Sequence, residues 1–122
     1  MAKKILIADD EPNIVISLEF LMKREGFDVT VATDGEEAVN RIRSDRPDLV
    51  LLDVMMPKKS GFEVCQEIKS DPELESTRIL MLTAKGRDTE VSKGLALGAD
   101  AYMTKPFSTK ELVERVRSML ES

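Results

Sequence analysis

Five short apolar runs alternate along the chain with five longer segments of helical spacing, and this alternation constrains the fold more than any other feature. The runs cover residues 5–8, 29–32, 49–52, 79–82 and 101–103. The first, third and fourth runs are apolar at successive positions, as parallel strands are when helices cover both faces of their sheet. We therefore expect these three strands at the centre of a parallel sheet.

The segments between the runs carry apolar residues at the spacing of amphipathic helices. The apolar positions are Ile14, Leu18, Leu21 and Met22 in the first segment, Ala38, Val39 and Ile42 in the second, Val64, Cys65 and Ile68 in the third, and Leu112, Val113, Val116, Met119 and Leu120 in the last. Capping boxes are predicted at Asp34 with Glu37, Ser60 with Glu63, and Ser108 with Glu111, and helix stops at Gly26 and Gly98.

The fourth helical segment has the weakest apolar stripe. Val91, Leu95 and Leu97 form the stripe, and Gly94 interrupts it. Because few apolar contacts would hold such a helix down, and glycine destabilises a helix interior, we expect a mobile element here.

The fold class follows from the strict alternation of strands and helices. A length of 122 residues with 42% hydrophobic content suits one domain, residues 1–122. We predict an α/β fold: a flavodoxin-like, doubly wound, five-stranded parallel sheet with strand order 2-1-3-4-5 and five helices.

Composition excludes several kinds of function. The chain has no histidine and one cysteine, Cys65, which excludes a serine-histidine-aspartate triad, histidine metal sites and an internal disulfide. The net charge of −5 is spread as mixed acids and bases, so we expect no direct binding of nucleic acid. No apolar run approaches the roughly 20 residues of a membrane span, and we expect a cytoplasmic protein.

Polar residues follow the predicted strands directly, at the edge of the sheet where ligands bind in such folds. They are Asp9 and Asp10 after the first strand, Asp53 after the third, Thr83 after the fourth, and Thr104, Lys105 and Pro106 after the fifth. Three converging carboxylates would repel one another unless a cation were present. A hard divalent ion with oxygen ligands, and Mg²⁺ before others, meets that need.

Mg²⁺ keeps coordination positions for water and phosphate, which leaves one carboxylate free to act as a nucleophile. Asp53 follows the strand that lies between the others, so it is the predicted nucleophile. Lys105 and the Thr83 hydroxyl would then stabilise the phosphoryl oxygens. Each of these residues also has a plain structural interpretation, as a charged helix start, a turn or a strand end. Those interpretations do not explain why the candidate residues all lie at the carboxyl ends of strands; these are Asp9, Asp10, Asp53, Thr83 and Lys105.

At these residues the chain closely resembles the receiver domains of bacterial two-component response regulators. The resemblance runs from Lys4 to about Leu120. The matching stretches are Asp9-Asp10, residues 53–57 leading to Ser60-Gly61, Thr83-Ala84, residues 98–100 and residues 105–107.

The resemblance implies that Asp53 is the phosphorylation site and takes its phosphoryl group from a histidine kinase or a histidine phosphotransfer protein. It implies Mg²⁺ as the cofactor, with Asp10, Asp53 and the Met55 carbonyl as direct ligands and Asp9 as a ligand through water. Further implied roles are phosphoryl binding by Thr83 and Lys105, a switch formed by Thr83 and Tyr102, and a cis Lys105–Pro106 peptide bond. We do not expect an enzyme, because such a domain catalyses only its own phosphorylation and dephosphorylation.

The segment from the fourth helix to the fifth resembles receivers of winged-helix transcription factors, which dimerise through the fourth helix, fifth strand and fifth helix. The resemblance implies pairs between subunits of Lys93 with Glu111 and of Asp100 with Arg117, while Ala101 stands where those receivers usually carry a second acid that would pair with Arg115. The alternative is that these charges form a solvated face.

We expect at most a weak homodimer on phosphorylation, and a face from the fourth helix to the fifth that controls a downstream effector protein or domain. Nothing follows Ser122 in the chain, so we expect either a stand-alone adaptor or a receiver separated from its effector.

Met55 and Lys85 stand two residues after Asp53 and Thr83. In the family that this chain resembles, polar or acidic side chains at these positions help to hold the hydrolytic water. A thioether accepts hydrogen bonds weakly and an ammonium group not at all, which predicts slow loss of the phosphoryl group. The alternative is that both side chains point into solvent.

Two other classes share part of this pattern. A haloacid-dehalogenase-like phosphatase also forms an aspartyl phosphate, but its nucleophile follows the first strand with a second Asp two residues on, where this chain has Glu11. A flavodoxin shares the fold, but its flavin phosphate needs a hydroxyl-rich, amide-lined loop where this chain is acidic.

Overall fold

Strands and helices alternate along the whole described chain, as the sequence predicts. The computed structural model describes residues 2–84 and 88–121, without the side chains of Ala84, Asp88 and Glu90. The elements are β1 Lys4–Ala8, α1 Pro12–Arg24, β2 Asp28–Ala32, α2 Gly35–Asp45, β3 Leu49–Asp53, α3 Gly61–Lys69, β4 Arg78–Ala84, α4 Asp88–Ala96, β5 Ala101–Lys105 and α5 Thr109–Glu121. Among the described residues, no helix is long and apolar enough to cross a membrane.

The five strands form one parallel sheet in the order β2-β1-β3-β4-β5. The flavodoxin-like fold and the predicted central strands β1, β3 and β4 are therefore confirmed. Successive side chains of β3 enter opposite cores: Val50 and Leu52 pack on the side of α2, α3 and α4, while Leu49 and Leu51 pack on the side of α1 and α5. Because both faces of the strand are buried, its apolar run is continuous.

The predicted capping boxes differ in how fully they form. At α3 both bonds are present: the Glu63 N–H donates to Ser60 Oγ at 3.2 Å, and the Ser60 N–H donates to Glu63 Oε2 at 3.3 Å. At α2 the Glu37 N–H donates to Asp34 Oδ1 at 2.7 Å, but the Glu37 carboxylate accepts from the Thr33 N–H instead of from Asp34. The first turn of α2 is therefore hydrogen-bonded to Thr33, the residue before the Asp34 cap.

The remaining predicted helix ends are found where expected. The Glu111 N–H donates to Ser108 Oγ at 3.0 Å at the start of α5. Gly26 and Gly98 have φ angles of +92° and +107°, in the left-handed region that glycine adopts without strain, and they confirm the predicted helix stops after α1 and α4.

α4 is attached to the domain through small contacts. Gly94 is buried, and a Cβ atom at this position would lie 3.3 Å from the Met81 methyl group and 3.8 Å from the Phe62 ring. The neighbouring Lys93 ammonium lies 4.6 Å from the centre of the Phe62 ring. Of the α4 side chains that the structure describes, no large one is buried, and Leu95 is 43% exposed. The mobility of this helix stays a prediction.

Candidate functional site

The acids predicted to form a site lie together at one edge of the sheet. β1 ends at Ala8 and β3 ends at Asp53, and the two strands are parallel neighbours, so Asp9, Asp10 and Asp53 reach the same edge. Each offers a carboxylate oxygen, and these oxygens lie within 4.8 Å of one another. Asp9 and Asp53 are buried while Asp10 is exposed. The cluster is therefore a mostly buried acidic site with one side open to solvent.

Lys105 joins the acidic cluster from the end of β5. Its ammonium nitrogen lies 3.1 Å from Asp9 Oδ2 and 3.4 Å from Asp53 Oδ1. The other oxygen of Asp9, Oδ1, accepts a 2.9 Å hydrogen bond from the Glu11 N–H. The Met55 N–H also favours the ionised Asp53 carboxylate. Asp9 thus has a partner on each oxygen and no exposed surface, whereas Asp53 keeps an oxygen free of the lysine.

The environment of Asp53 disfavours its charged form. Burial raises the pKa of Asp53, the nearby Asp9 charge raises it further, and Lys105 and the Met55 N–H offset only part of the effect, so that the pKa is about 6. For Lys105, burial alone would lower the pKa, but the charges of Asp53 and Asp9 outweigh burial and raise the pKa above its ordinary value. The lysine is therefore a permanent cation at neutral pH.

Thr83 places a buried hydroxyl group at the same end of the sheet as the acids. β4 pairs with β3 so that Leu82 lies opposite Asp53, and Thr83 is the next residue. Thr83 is buried, and its Oγ1 has no hydrogen-bond partner among the residues that the structure describes. A buried polar atom without a partner destabilises a fold by about 1–3 kcal/mol. Such an atom at the edge of an acidic site is available to a ligand oxygen.

The donor set fits Mg²⁺. Three carboxylates provide the hard oxygen ligands that this ion prefers, and the exposed Asp10 leaves room for the water and phosphate oxygens that usually complete its shell. Asp9, Asp10 and Asp53 are the residues that would hold the ion. Lys105 already neutralises one of the three negative charges, which leaves an excess of two.

Other residues predicted for the site are placed as follows. The Met55 side chain is 69% exposed, and the predicted metal-ligand role of its carbonyl stays a prediction. Thr104 is exposed, and Tyr102 is 41% exposed, so this aromatic side chain points outward. The Lys105–Pro106 bond is cis, as the resemblance implies. Lys85 lies outside the described residues.

Three of the four charges predicted to pair two subunits contact residues of their own chain. Asp100 Oδ2 lies 3.0 Å from the Lys69 ammonium and accepts a 2.8 Å hydrogen bond from the Ile79 N–H. Arg117 lies 2.7 Å from Glu25. With Lys93 placed over Phe62, three of the four charges already contact their own chain. The pairs between subunits stay a prediction that must compete with these contacts.

Two contributors to the site were not predicted as such. Glu11 acts through its backbone N–H, which orients Asp9, and a backbone donor leaves no signature in residue type. Gly61 packs against the backbone of Asp53. The sequence indicates this contact only by having a glycine at the residue after the Ser60 cap.

Comparison with known proteins places this geometry in a family. The model of the response regulator receiver domain matches residues 5–117. The chain belongs to the response regulator receiver family. It is accordingly a phosphoacceptor signalling domain of the two-component type, in which receivers interact with histidine kinases and effectors, and receivers in general bind Mg²⁺ at an acidic pocket.

Solved structures of receivers match the whole chain. A protein of Chloroflexus aurantiacus J-10-fl assigned as a response regulator is 34% identical with a TM-score of 0.96, and the match covers 100% of both chains. The beryllofluoride-activated DrrB receiver domain is 35% identical with a TM-score of 0.90, again over 100% of both chains. The chemotaxis response regulator CheY4 of Vibrio cholerae is 29% identical with a TM-score of 0.91, over 98% of this chain and 99% of that one.

The raised pKa of Asp53 predicts that the ionised form of this carboxyl group destabilises the folded receiver. A carboxyl group with a pKa of about 6 in the folded state binds its proton more tightly than in the unfolded state, so its stabilising contribution is lost as pH rises from about 4 through 6. We expect Asp53→Asn to raise the free energy of unfolding by about 1–3 kcal/mol at pH 7.5 without divalent ions, and by less toward pH 4.

Denaturant unfolding of the wild type and the variant at several pH values measures this difference. Asp28→Asn, which removes an exposed acid at the other end of the sheet, is the control and should show no such pH-dependent gain. A variant at residue 53 that is less stable than the wild type at pH 7.5 would contradict the repulsion inferred at the site.

Proposed function

We propose that this receiver is a switch in which Asp53 takes a phosphoryl group from a phosphohistidine of a partner kinase or phosphotransfer protein, in a reaction that depends on Mg²⁺. One observation carries the proposal: three carboxylates converge with Lys105, beside the buried Thr83 hydroxyl, which has no hydrogen-bond partner in the described part of the chain. Apart from its own phosphorylation and dephosphorylation, we propose no catalytic activity.

Asp53 is better placed as the nucleophile than Asp9. Both oxygens of Asp9 are engaged, by Lys105 and by the Glu11 N–H, and the residue is 0% exposed. This arrangement also argues against the chemistry of haloacid dehalogenases, whose nucleophile follows the first strand. Above pH 6 the Asp53 carboxylate is ionised, and burial leaves it weakly solvated. Such an oxygen is a competent nucleophile.

In the transfer, an Asp53 oxygen bonds to phosphorus while the bond from phosphorus to the donor's ring nitrogen breaks, and the electron pair leaves with that nitrogen. The chemistry that a bound Mg²⁺ supplies is neutralisation of the acids and of the phosphoryl oxygens. Lys105 adds a fixed positive charge on one side of the phosphoryl group, and the Thr83 hydroxyl adds a hydrogen-bond donor.

The phosphoryl group would change the contacts of these same two residues. It carries a charge of about −1.5 to −2 in place of the single negative charge of the Asp53 carboxylate, which draws the Lys105 ammonium from the acids and gives Thr83 Oγ1 a hydrogen-bond partner. Charge-assisted hydrogen bonds contribute about 1.5–3 kcal/mol each. Two of them supply roughly the 5.5 kcal/mol that shifts a population from 1:99 to 99:1.

The change would reach the surface through the neighbours of Thr83. Tyr102 is exposed on β5, and movement of Thr83 would open space for the ring to turn inward. α4 follows the same strand as Thr83 and is only lightly packed, so it can repack at little cost. We propose that the face from α4 to α5 changes in this way and controls an effector protein or domain. The family resemblance also carries a proposed cytoplasmic location.

The reaction itself is tested with a small phosphodonor. Acetyl phosphate with Mg²⁺ should add one phosphoryl group to the wild-type domain, and Asp53→Asn should abolish the addition because the nucleophile is removed. Intact-protein mass spectrometry measures the added mass. Asp9→Asn, which keeps Asp53, should remain a slow acceptor, and labelling of the Asp53→Asn variant at the wild-type level would refute the assignment.

A phosphodonor protein must cover the carboxyl edge of the sheet, and α1 offers apolar surface there. The helix begins two residues after Asp10, and its Ile16 and Phe20 side chains, one turn apart, are 65% and 66% exposed. Exposed aromatic and aliphatic side chains on a helix are common anchors for a partner. We propose that this pair contacts the kinase or phosphotransfer protein.

Phe20→Glu separates docking from chemistry. We expect phosphotransfer from the cognate kinase to slow by about tenfold, equivalent to about 1.4 kcal/mol, while the rate with acetyl phosphate stays unchanged. Leu95→Glu is the matched control, because it places the same charge on an exposed apolar site of α4, on the other face of the sheet. Equal loss with both phosphodonors would show that α1 affects the acceptor rather than docking.

A further inference from the structure

The start of α3 abuts the peptide of the phosphoacceptor. α3 begins at Gly61, whose N–H donates a 2.8 Å hydrogen bond to the Val54 carbonyl oxygen. A Cβ atom at residue 61 would overlap the Asp53 carbonyl oxygen and lie 2.9 Å from Val54 Cα. Every atom in this clash belongs to the backbone, so no side-chain rotation can relieve it.

Neither partner in this contact can easily move away. On the helix side, the capping box of Ser60 and Glu63 fixes the first turn, and the buried residues of α3 anchor the helix in the core. On the strand side, Asp53 ends a central strand, and the next residue, Val54, is buried and donates its N–H to the Leu82 carbonyl oxygen of β4 at 3.3 Å. The contact between Gly61 and the Asp53 peptide therefore fixes the position of that peptide relative to Asp9 and Asp10.

We propose that Gly61 is a positioning residue for phosphoryl transfer: its missing side chain lets α3 seat on the Asp53 peptide and so places the Asp53 carboxylate within the acidic cluster. The inference rests on the proposed role of Asp53 as the phosphoacceptor. A displacement of about 1 Å in a reacting group can slow a reaction by about a hundredfold. Gly61 contacts the backbone of Asp53 and Val54, so it would act through the Asp53 peptide.

Gly35 provides a matched comparison. It is the first residue of α2, and a Cβ atom there would overlap the Lys59 carbonyl oxygen. Its N–H donates to the Pro57 carbonyl oxygen at 3.2 Å. Both glycines therefore begin a helix and press on the loop between β3 and α3. They differ in the atom that an added Cβ would meet: the Asp53 carbonyl oxygen for Gly61, and the Lys59 carbonyl oxygen for Gly35.

The test compares Gly61→Ala and Gly35→Ala with the wild type, below the melting temperatures found by thermal unfolding. Isothermal titration calorimetry gives the affinity for Mg²⁺, and mass spectrometry gives the rate of phosphorylation by acetyl phosphate. We expect Gly61→Ala to lower both by about tenfold or more, and Gly35→Ala to change each by no more than about twofold despite a comparable loss of stability.

Equal effects of the two substitutions, or unchanged Mg²⁺ affinity in Gly61→Ala, would overturn the inference. If the wild type binds Mg²⁺ but is not phosphorylated, the proposed function fails. The Mg²⁺ affinities of the variants would still show whether Gly61 positions the Asp53 carboxylate. If Gly61→Ala does not fold, amide hydrogen exchange of the wild type decides: Mg²⁺ should slow exchange at Gly61 more than at Gly35, and equal slowing would count against the inference.

Discussion

The contact of the Lys105 ammonium with Asp9 and Asp53 is the interaction on which the rest of the site depends. It connects the end of β5 to the ends of β1 and β3, across the intervening β4. It makes two buried acids tolerable at neutral pH, but it is one positive charge against three negative ones. Burial strengthens the remaining repulsion, which appears in the raised pKa of Asp53. A bound cation would therefore reduce the repulsion among these acids.

This imbalance links stability to signalling. Two features weaken the domain: the excess of negative charge, and a Thr83 hydroxyl that bonds to none of the residues in the described ranges. A metal ion and a phosphoryl group would satisfy both. Both ligands would act on residues at or just after the carboxyl ends of four of the five strands. A conformational response would then involve the helices outside the sheet. Among them, α4 buries Gly94 but no large described side chain, so it is the least firmly packed.

The sequence predicts the fold and the location of the site well, because both depend on short-range patterns. Central strands covered on both faces must be apolar at every position, and parallel strands bring their carboxyl ends to one edge, so Asp9, Asp53 and Lys105 could be grouped before any coordinates. The partner that each charged side chain contacts could not be predicted in this way. Asp100 selects Lys69, and Glu37 bonds Thr33, through side-chain geometry. Surface pairs of this kind differ by only about 0–1 kcal/mol.

The repulsion within the acidic cluster can be measured directly through the Asp53 carboxyl carbon. Its ¹³C chemical shift, followed against pH in protein without divalent ions and again with saturating Mg²⁺, reports the pKa of this one group. The account predicts a pKa of about 6 without the ion and a value well below that when Mg²⁺ is bound. A pKa that Mg²⁺ leaves unchanged, or an ordinary aspartate pKa of about 4 without the ion, would contradict it.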